Sequence, residues 1–331
     1  MGKKRELREC EKMVTIRDVA KKAGVSVASV SRYINKNGYV RSETGEKIAE
    51  VIKELNYVPN EVARSLFQKK SKIIGILLPD IANPYFPLLA KGIEKVLNKN
   101  GYMMMLANTS DSEELLQEYI TAFTKNNVSG IITALPIKPI DNISVVGIDR
   151  VYESPFNRVL PDDYLGGQII ANEILKTTFT NILIITGNLA FQSAKKRLDG
   201  LIDVLDAEKA NYEIFETSSF NVNELDKIAG TIFEKYPTVD TVIAANDYLA
   251  LRIMQEAQQR GLSIPADLQI MGYDGIPFSN MVYPKLTTIK QPVYEMGEAA
   301  ATLMVKMLNG EVDSIKEQIL PVSLQKGGSL R

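Results

Sequence analysis

The chain has 331 residues, of which 45% are hydrophobic and 24% charged, an ordinary globular composition with enough length for two or three domains. It contains no histidine and a single cysteine, which excludes histidine-based general acid–base catalysis, the commonest zinc ligand and an internal disulfide. Residues 1–72 hold 17 Lys and Arg against 9 Asp and Glu, whereas the remainder holds 22 against 31. A basic head on an acidic body favours a polyanionic partner for the head alone, although chance clustering of solvated charges gives the same counts.

The N-terminal segment, residues 1–12 (MGKKRELRECEK), is charged and has no apolar core, so we expect a charged tail there and no signal peptide. Met13 is the alternative start of the protein. No apolar run approaches the ~18 residues of a membrane span, and the lone Cys10 fits a reducing compartment. We therefore expect a cytoplasmic protein that makes no contact with a membrane.

Residues 13–58 predict three short helices. The first, TIRDVAKK, begins after Thr15, an N-cap with an aspartate three residues later, and ends at Gly24. Ser26 caps the second helix, VASVSRYINK, and Ser42 caps the third, SETGEKIAEVIKELNY. Two short helices joined by a glycine turn and supported by a third are typical of a helix-turn-helix unit, although a plain three-helix subdomain has the same pattern.

The second helix carries side chains that suit the reading of DNA. Val27 and Ala28, at its start, suit apolar contact with thymine methyl groups in the major groove. Arg32, one turn later, is long enough for a bidentate bond to guanine, and Ser29 and Ser31 suit phosphate oxygens. The sequence therefore predicts that the head binds double-stranded DNA.

From residue 72 onwards, aliphatic runs alternate with amphipathic segments. SKIIGILL predicts a buried parallel strand, FPLLAKGIEKVLNKNGY a helix, MMMLAN a strand and SEELLQEYITAFTKNN a helix. The alternation restarts after GGQIIANEILK with NILIITG and continues to LQIMGYD. We therefore expect an α/β fold of two lobes, each built on a doubly wound parallel sheet. In the first body helix, Ile93, Val96 and Leu97 belong either to the core or to an interface.

No strand is followed by a G-x-G-x-x-G or Walker A sequence, so we expect no nucleotide cofactor. Open α/β sheets bind ligands beyond the carboxyl ends of their strands. Several strands are followed there by polar residues: Asp80, Asn83, Asp149, Arg150, Asn246, Asp247, Asp274 and Gln291. Acceptors, donors and a guanidinium suit a polyol, for which Tyr85 and Phe86 would supply an aromatic plate. Ordinary loop and cap roles for the same residues are the alternative.

Several motifs together resemble the LacI/GalR family of bacterial repressors. In the head these are TIRDVA, AGVS, VSR and Asn35, and LNYVPN followed by ARSL resembles the family's linker and hinge helix, here residues 59–71. The resemblance implies that DNA is bound by twelve residues: Thr15, Ser26, Val27, Ala28, Ser29, Ser31, Arg32, Asn35, Asn60, Ala63, Arg64 and Leu66. It also implies that paired hinge helices insert Leu66 into the minor groove, where an apolar wedge kinks a base step.

The body, residues 72–331, resembles the family's sugar-binding core through NPYF, IDR, SAKKRLDG, NDYLA, GYDGIP and TTIKQP. Its first lobe would comprise about 72–162 and 293–321, and its second about 163–290 and 322–331. The resemblance places a pentose among ten residues: Asn83, Tyr85, Phe86, Asp149, Arg150, Arg197, Phe220, Asn246, Asp274 and Gln291. Arg197 and Phe220 rest on the resemblance alone, since the pattern around Arg197 is that of a solvated charge. Gly275 stands where many relatives have an aspartate.

The resemblance implies a homodimeric transcriptional repressor that binds a palindromic operator and is released by a small sugar, with ribose first among the candidates. Another pentose, a hexose, sucrose, a purine or a phosphoprotein corepressor are the alternatives within this class. A sugar-binding transport protein and an enzyme on the same fold are disfavoured by the absent signal peptide, histidine and cofactor loops. Because no heptad-bearing extension follows Val322, we expect a dimer and not a coiled-coil tetramer.

Overall fold

The computed structural model describes residues 14–35, 37–57, 71–152, 155–217, 222–312 and 314–331. The chain divides into two compact units between Ser71 and Lys72. We call residues 14–57 the head and residues 72–331 the body. Within the described ranges, no helix is both long enough and apolar enough to cross a membrane.

The head is a three-helix unit with a small apolar core. Its helices are α1 (Ile16–Ala23), α2 (Val27–Asn35) and α3 (Ser42–Glu54). Apolar side chains at helical spacing turn one face of each helix inwards, and four of them are buried together: Val19, Ala20, Val30 and Ile48. An exposed ion pair between Lys22 Nζ and Glu54 Oε1, 2.6 Å apart, also links α1 to α3. The predicted helix-turn-helix fold of the head is confirmed.

The ends of α1 follow from local capping chemistry. Thr15 and Asp18 form a capping box, in which Thr15 Oγ1 accepts from the Asp18 amide and Asp18 Oδ2 accepts from the Thr15 amide at 2.8 Å. Gly24 ends the helix in the left-handed region, with φ at 69°. Ser26 Oγ then accepts from the Ser29 amide at 3.1 Å and caps α2, as the sequence predicts.

The start of α3 differs from the prediction by one residue. Arg41 is the N-cap, without a side-chain capping bond, so the prediction that Ser42 caps the helix is wrong. Ser42 already lies inside the first turn, and its hydroxyl donates to Glu46 Oε1 at 3.2 Å. This bond to a side chain one turn later replaces the predicted bond to a backbone amide.

The first lobe of the body is built on a six-stranded parallel sheet. Its strands are β1 (Ile73–Leu78), β2 (Met103–Asn108), β3 (Gly130–Thr133), β4 (Ser144–Ile148), β5 (Asn157–Pro161) and β11 (Glu317–Leu320). They lie in the order β11-β5-β4-β3-β1-β2, and every neighbouring pair is parallel. The sheet packs against α4 (Tyr85–Lys99), α5 (Glu113–Lys125) and α10 (Val293–Leu308). Because helices cover the sheet, the interior strand β1 is almost entirely buried, as its aliphatic run predicts.

The helices α4 and α10 pack against each other within the core of the first lobe. Ile93 and Leu97 of α4 are fully buried there, and Val96 is partly buried against the same cluster. Of the two alternatives, core or interface, Ile93 and Leu97 therefore belong to the core of their own chain.

The second lobe is built on a six-stranded sheet of the same kind. Its strands are β6 (Ile182–Thr186), β7 (Tyr212–Glu216), β8 (Thr241–Ile243), β9 (Gln269–Asp274), β10 (Thr287–Lys290) and β12 (Ser323–Gln325). They lie in the order β12-β10-β9-β8-β6-β7, parallel except for the β10–β12 pair. Its helices are α6 (Asp163–Ile174), α7 (Gln192–Ala207), α8 (Val222–Lys235) and α9 (Asp247–Gln259). The predicted two-lobed α/β fold is confirmed, although the sequence analysis did not identify β5, β11 or β12.

The helices α6 and α7 approach each other closely because glycines face the partner backbone. A Cβ atom on Gly167 would lie 2.1 Å from the carbonyl oxygen of Arg197, and one on Gly200 would lie 2.1 Å from that of Tyr164. A side chain at either position would force the helices apart. Their close approach brings Asp163, at the start of α6, next to Arg197 on α7.

Candidate functional site

The exposed face of α2 presents the residues that are predicted to read DNA. Val30 is fully buried and fixes the rotation of the helix, so Val27, Ala28 and Arg32 are exposed. Val27 is 42% exposed even though it is aliphatic. Ser29 is half-buried between these positions and the core. The face thus offers apolar atoms and a guanidinium, the combination that recognises thymine and guanine in the major groove.

The other four predicted DNA contacts among the described residues already have hydrogen bonds within the head. The Thr15 hydroxyl donates to Asp18 Oδ2 at 2.6 Å, and Ser26 caps α2. Asn35 is exposed, and its side-chain amide donates to the Ser31 carbonyl oxygen at 2.9 Å and to Ser31 Oγ at 3.2 Å. The predicted hinge contacts lie outside the described residues: Asn60, Ala63, Arg64 and Leu66.

The body contains a cleft of about 390 Å³ at the carboxyl ends of strands from both sheets, which we call the interlobe cleft. This is where open α/β sheets bind ligands, and the volume lies within the range of small-molecule sites. Nine of the ten predicted effector residues line it: Asn83, Tyr85, Phe86, Asp149, Arg150, Arg197, Asn246, Asp274 and Gln291. The tenth, Phe220, lies outside the described residues.

A chain of buried hydrogen bonds crosses the interlobe cleft. The Tyr85 hydroxyl lies 3.0 Å from Asp149 Oδ1 and 3.3 Å from Gln291 Oε1, and its proton is shared between these acceptors. Gln291 Nε2 donates in turn to Asp274 Oδ1 at 2.8 Å. Tyr85 and Asp149 belong to the first lobe, Asp274 to the second, and Gln291 to the connection from β10 to α10. The chain therefore links the lobes, and its carboxylates keep acceptor capacity for ligand hydroxyls.

Arg197 extends from α7 into the cleft, and buried hydrogen bonds hold its guanidinium in place. Asp163 Oδ1 accepts from Arg197 Nη2 at 2.9 Å and from Nε at 3.2 Å, and Arg197 Nη1 donates to the Ala245 carbonyl oxygen at 2.7 Å. The guanidinium also lies 3.3 Å from the centroid of the Tyr273 ring. Burial is the largest single influence and lowers the pKa of Arg197, but Asp163 and the other neighbouring groups together raise it by more, so the net shift is upward and the group stays charged. The interpretation of Arg197 as a solvated surface charge, which its sequence pattern favours, is therefore wrong.

Asp163 collects hydrogen bonds from both sides of the lobe boundary. Besides Arg197, the Tyr273 hydroxyl donates to its Oδ1 at 2.9 Å and the Tyr152 hydroxyl to its Oδ2 at 2.8 Å. The carboxylate is 1% exposed, so every one of these donors compensates for lost water. Asp163 thereby fixes the orientation of Arg197 towards the cleft.

Burial controls the charge of the acids in the interlobe cleft. Desolvation raises the pKa of Asp149 to about 6, while the charge of Arg150 acts in the opposite direction. Desolvation also raises the pKa of Asp274 well above its usual range, against the opposing charge of Arg197. Burial and Asp149 raise the pKa of Tyr85, so that its hydroxyl remains a donor. At neutral pH the Asp149 carboxylate is thus mainly ionised and acts as an acceptor. Its pKa nevertheless lies only slightly below neutral pH.

Two of the polar residues at strand ends do not line the cleft. Asp247 is fully buried, and it accepts from the Ile276 amide at 2.8 Å and from the Thr288 hydroxyl. Burial raises the pKa of Asp247 to about 7. Asp80 accepts from the Ala82 amide at 2.9 Å within its own loop. For these two residues the alternative interpretation, a role in loop structure, matches the structure.

Gly275 is required by the backbone next to the cleft. Its φ is 70°, and a Cβ atom there would lie 2.7 Å from Lys290 Cα. Gly275 does not line the cleft, and its amide bonds to Asp247. An aspartate at this position would displace the strand that carries Lys290, so the glycine acts by holding the loop in place after Asp274.

Phe191 and Asp163 are features of the site that the sequence analysis missed. Phe191 lines the cleft from the N-cap position of α7, where small polar residues are preferred, and that unusual placement was the available signal. Asp163 follows Asp162, the N-cap of α6, whose Oδ1 accepts from the Leu165 amide at 3.0 Å. It therefore resembles an ordinary acid in a first helical turn, since only the packing of α7 buries it.

Replacing Asp149 by asparagine is expected to change the pH dependence of stability. The folded-state pKa, about 6, lies above the ordinary aspartate value of 3.8, so the folded protein loses stability as pH rises from about 4 to 6. The variant lacks this loss, and at pH 7–8 it should gain up to about 3 kcal/mol over the wild type, a gain that shrinks towards pH 4. Asparagine keeps an acceptor for Tyr85 and tolerates the φ of 61° at this position.

Thermal unfolding between pH 4 and 8 measures this difference. The matched control is Asp141→Asn, since Asp141 is exposed in the loop before β4. A gap between Asp149→Asn and wild type that stays constant across this pH range would contradict the burial-raised pKa.

A helix-turn-helix head joined to a two-lobed body with a polar interlobe cleft defines a ligand-responsive DNA-binding regulator. Residues 15–60 match the family model for bacterial regulatory proteins of the lacI family, and residues 173–330 match that for a periplasmic binding protein-like domain. The ribose operon repressor of Bacillus subtilis is 41% identical over 301 residues, which cover 89% of this chain and 92% of that protein. The chain belongs to the lacI family of bacterial regulatory proteins and is a DNA-binding repressor.

Solved structures resemble this chain over all or most of its length. The lac repressor dimer bound to operator and the anti-inducer ONPF has a TM-score of 0.85 and 26% identity, covering 96% of this chain and 99% of that one. A LacI family transcriptional regulator from Enterococcus faecium with bound ribose has a TM-score of 0.70 and 29% identity, covering 78% and 98%. The resemblance inferred from the sequence motifs is therefore confirmed at the level of family and fold.

Proposed function

We propose that this protein represses a ribose-utilisation operon, binding a palindromic operator as a homodimer and leaving it when ribose occupies the interlobe cleft. It acts in the cytoplasm, where the bacterial chromosome lies, and binds the sugar without turnover. The observation that carries the sugar assignment is the hydrogen-bond chain through Asp149, Tyr85, Gln291 and Asp274. It offers buried donors and acceptors from both lobes, and a ligand with several hydroxyl groups matches both kinds of partner.

The relatives support ribose in particular. The similar protein of Bacillus subtilis is a ribose operon repressor, and the similar regulator of Enterococcus faecium has ribose bound. In the cleft, Arg150 and Arg197 supply donors for sugar oxygens, and Phe86 supplies an aromatic face for C–H groups. All nine described residues of the predicted set are proposed to contact or enclose the sugar, with Phe220 as the tenth.

Release follows from a preference of the sugar for one arrangement of the lobes. Ribose that bonds to Asp149 on one lobe and Asp274 on the other stabilises a closed body, and its differential affinity sets the largest shift it can cause. In a homodimer, closure changes the alignment of the two proposed hinges, residues 59–71. A two-fold operator binds the dimer only when the spacing and orientation of the two α2 helices match its half-sites. Misaligned hinges therefore weaken operator binding.

Ribose at about 100 times its Kd is expected to raise the free energy of unfolding by about 2.7 kcal/mol, visible as a higher melting temperature. The measurement compares ribose with other pentoses, glucose, fructose, sucrose and purines. Asp274→Ala removes a buried acceptor from the cleft and should abolish the shift with ribose. Asp141→Ala, at an exposed position outside the cleft, should retain it.

Operator binding provides the second measurement, using a duplex that the protein selects from a random pool. Ribose should release the wild type, whereas Asp274→Ala should stay bound at the same ribose concentration. A normal response of Asp274→Ala would contradict the assignment of the cleft. If another compound raises the melting temperature and ribose does not, that compound replaces ribose as the proposed effector. If ribose tightens operator binding, ribose is a corepressor and not an inducer.

A further inference from the structure

Arg150 lies between two aromatic rings that come from opposite lobes. Its guanidinium carbon is 5.5 Å from the centroid of the Phe86 ring and 5.7 Å from that of the Phe191 ring. Phe86 lies in the first turn of α4 in the first lobe, and Phe191 is the N-cap of α7 in the second. All three side chains line the interlobe cleft. The cation thus connects the lobes beside the proposed sugar position.

The neighbouring acids keep the guanidinium between the rings. Arg150 Nε is 3.7 Å from Asp149 Oδ2, and Nη1 is 4.0 Å from Asp111 Oδ1. The Arg150 side chain is only 23% exposed, and attraction between a cation and an aromatic ring strengthens as water is withdrawn. Phe86 is buried in the core of the first lobe. Phe191 is therefore the partner of Arg150 that moves with the second lobe.

Phe191 is hydrogen-bonded to the first turn of α7, the helix that carries Arg197. The Phe191 carbonyl oxygen accepts from the Lys195 amide at 3.1 Å, which joins it to the first turn of α7. Arg197 follows on the same helix and is bonded to Asp163. A movement of the second lobe that brings Arg197 to the ligand therefore brings Phe191 towards Arg150 at the same time.

We propose that Phe191 is an effector-site residue which, with Arg150 and Phe86, forms a clasp that holds the lobes closed over the bound sugar. The proposal rests on the proposed function, since it concerns the same cleft. Ribose can reach Asp274 and Arg197 before the clasp forms, because the clasp is completed by closure. Phe191 consequently governs how slowly the sugar leaves, with little influence on how fast it enters.

The test measures ribose binding and dissociation, by calorimetry and stopped flow, with the full-length protein. Phe191→Leu keeps an apolar side chain but removes the ring, and should raise the ribose Kd about 5- to 30-fold through faster dissociation. Phe191→Tyr keeps the ring and should remain close to wild type. The matched control is Phe233→Leu, which removes a ring of α8 that lies 5.1 Å from the guanidinium of Arg260, the C-cap residue of α9.

The outcomes separate the clasp from the proposed function. Operator release by ribose should need a concentration raised by the same factor in Phe191→Leu. If wild type binds ribose and Phe191→Leu releases it at the wild-type rate, the clasp is overturned and the proposed function stands. Slower entry with unchanged dissociation would also overturn it. Absence of ribose binding by wild type would overturn the proposed function and the clasp with it.

Discussion

Replacement of Arg197 by alanine is expected to lower the free energy of unfolding by about 3 to 5 kcal/mol and to abolish ribose binding. The Asp163 carboxylate, 1% exposed, would lose the guanidinium that donates to it at 2.9 and 3.2 Å. The Tyr152 and Tyr273 hydroxyls would still donate, but neutral donors leave the charge uncompensated. Thermal and urea unfolding followed by circular dichroism measure the loss of stability.

Two further variants separate the buried charge from the sugar contact. Adding Asp163→Asn to Arg197→Ala removes the stranded charge, while the amide oxygen still accepts from the tyrosines. This double variant should regain much of the stability and still fail to bind ribose. Lys176→Ala, which breaks a surface pair with Glu173, is the matched control and should change stability by less than about 1 kcal/mol. A similarly small change in Arg197→Ala would contradict the buried pair.

The interlobe cleft concentrates groups that oppose folding. Asp149 and Asp274, which line it, are each less than a tenth exposed, and burial raises the pKa of both carboxyl groups. The expected gain of Asp149→Asn above pH 6 and the expected loss of Arg197→Ala have one origin, the cost of holding charge away from water. A polar ligand that satisfies these groups stabilises the folded body directly, which explains why a thermal shift suits the search for the effector.

The features that sequence analysis predicted correctly are those with a local cause. The cap at Thr15 and the turn at Gly24 depend on a few neighbouring residues, and both were confirmed. The placement of Asp149 and Asp274 at strand ends follows from aliphatic runs that stop abruptly, and parallel strands then bring the two residues into one cleft. Even a local signal has limited accuracy, since the predicted cap of α3 was wrong by one residue.

The features that it missed depend on contacts between distant segments. Asp163 is buried because Gly167 and Gly200 let two helices approach, and nothing next to Asp163 in the sequence signals this. Phe191 gains its significance from Arg150, which stands on the other lobe. Arg197 was selected by resemblance to a family, because its own helix shows only the spacing of a solvated charge.

Replacement of Arg32 by alanine is expected to cost about 1 to 3 kcal/mol of discrimination per half-site, without affecting the fold of the head. Arg32 is exposed on α2 and does not belong to the apolar core of the head. The measurement is a fluorescence anisotropy titration of the selected operator and of a scrambled duplex of equal length, at several salt concentrations. Affinities need the full salt series, because phosphate contacts dominate non-specific binding.

Arg32→Lys is the matched variant that decides between base and phosphate contact. Lysine keeps the charge but lacks the planar fork that bonds both acceptors of guanine. If Arg32 reads a base, both variants lose preference for the operator, and the lysine variant keeps its affinity for the scrambled duplex. If Arg32 contacts phosphate, Arg32→Ala weakens binding to both duplexes equally and lowers the salt slope by about 1, and Arg32→Lys resembles wild type. The second result would shift specificity to Val27 and Ala28, the other exposed side chains at the start of α2.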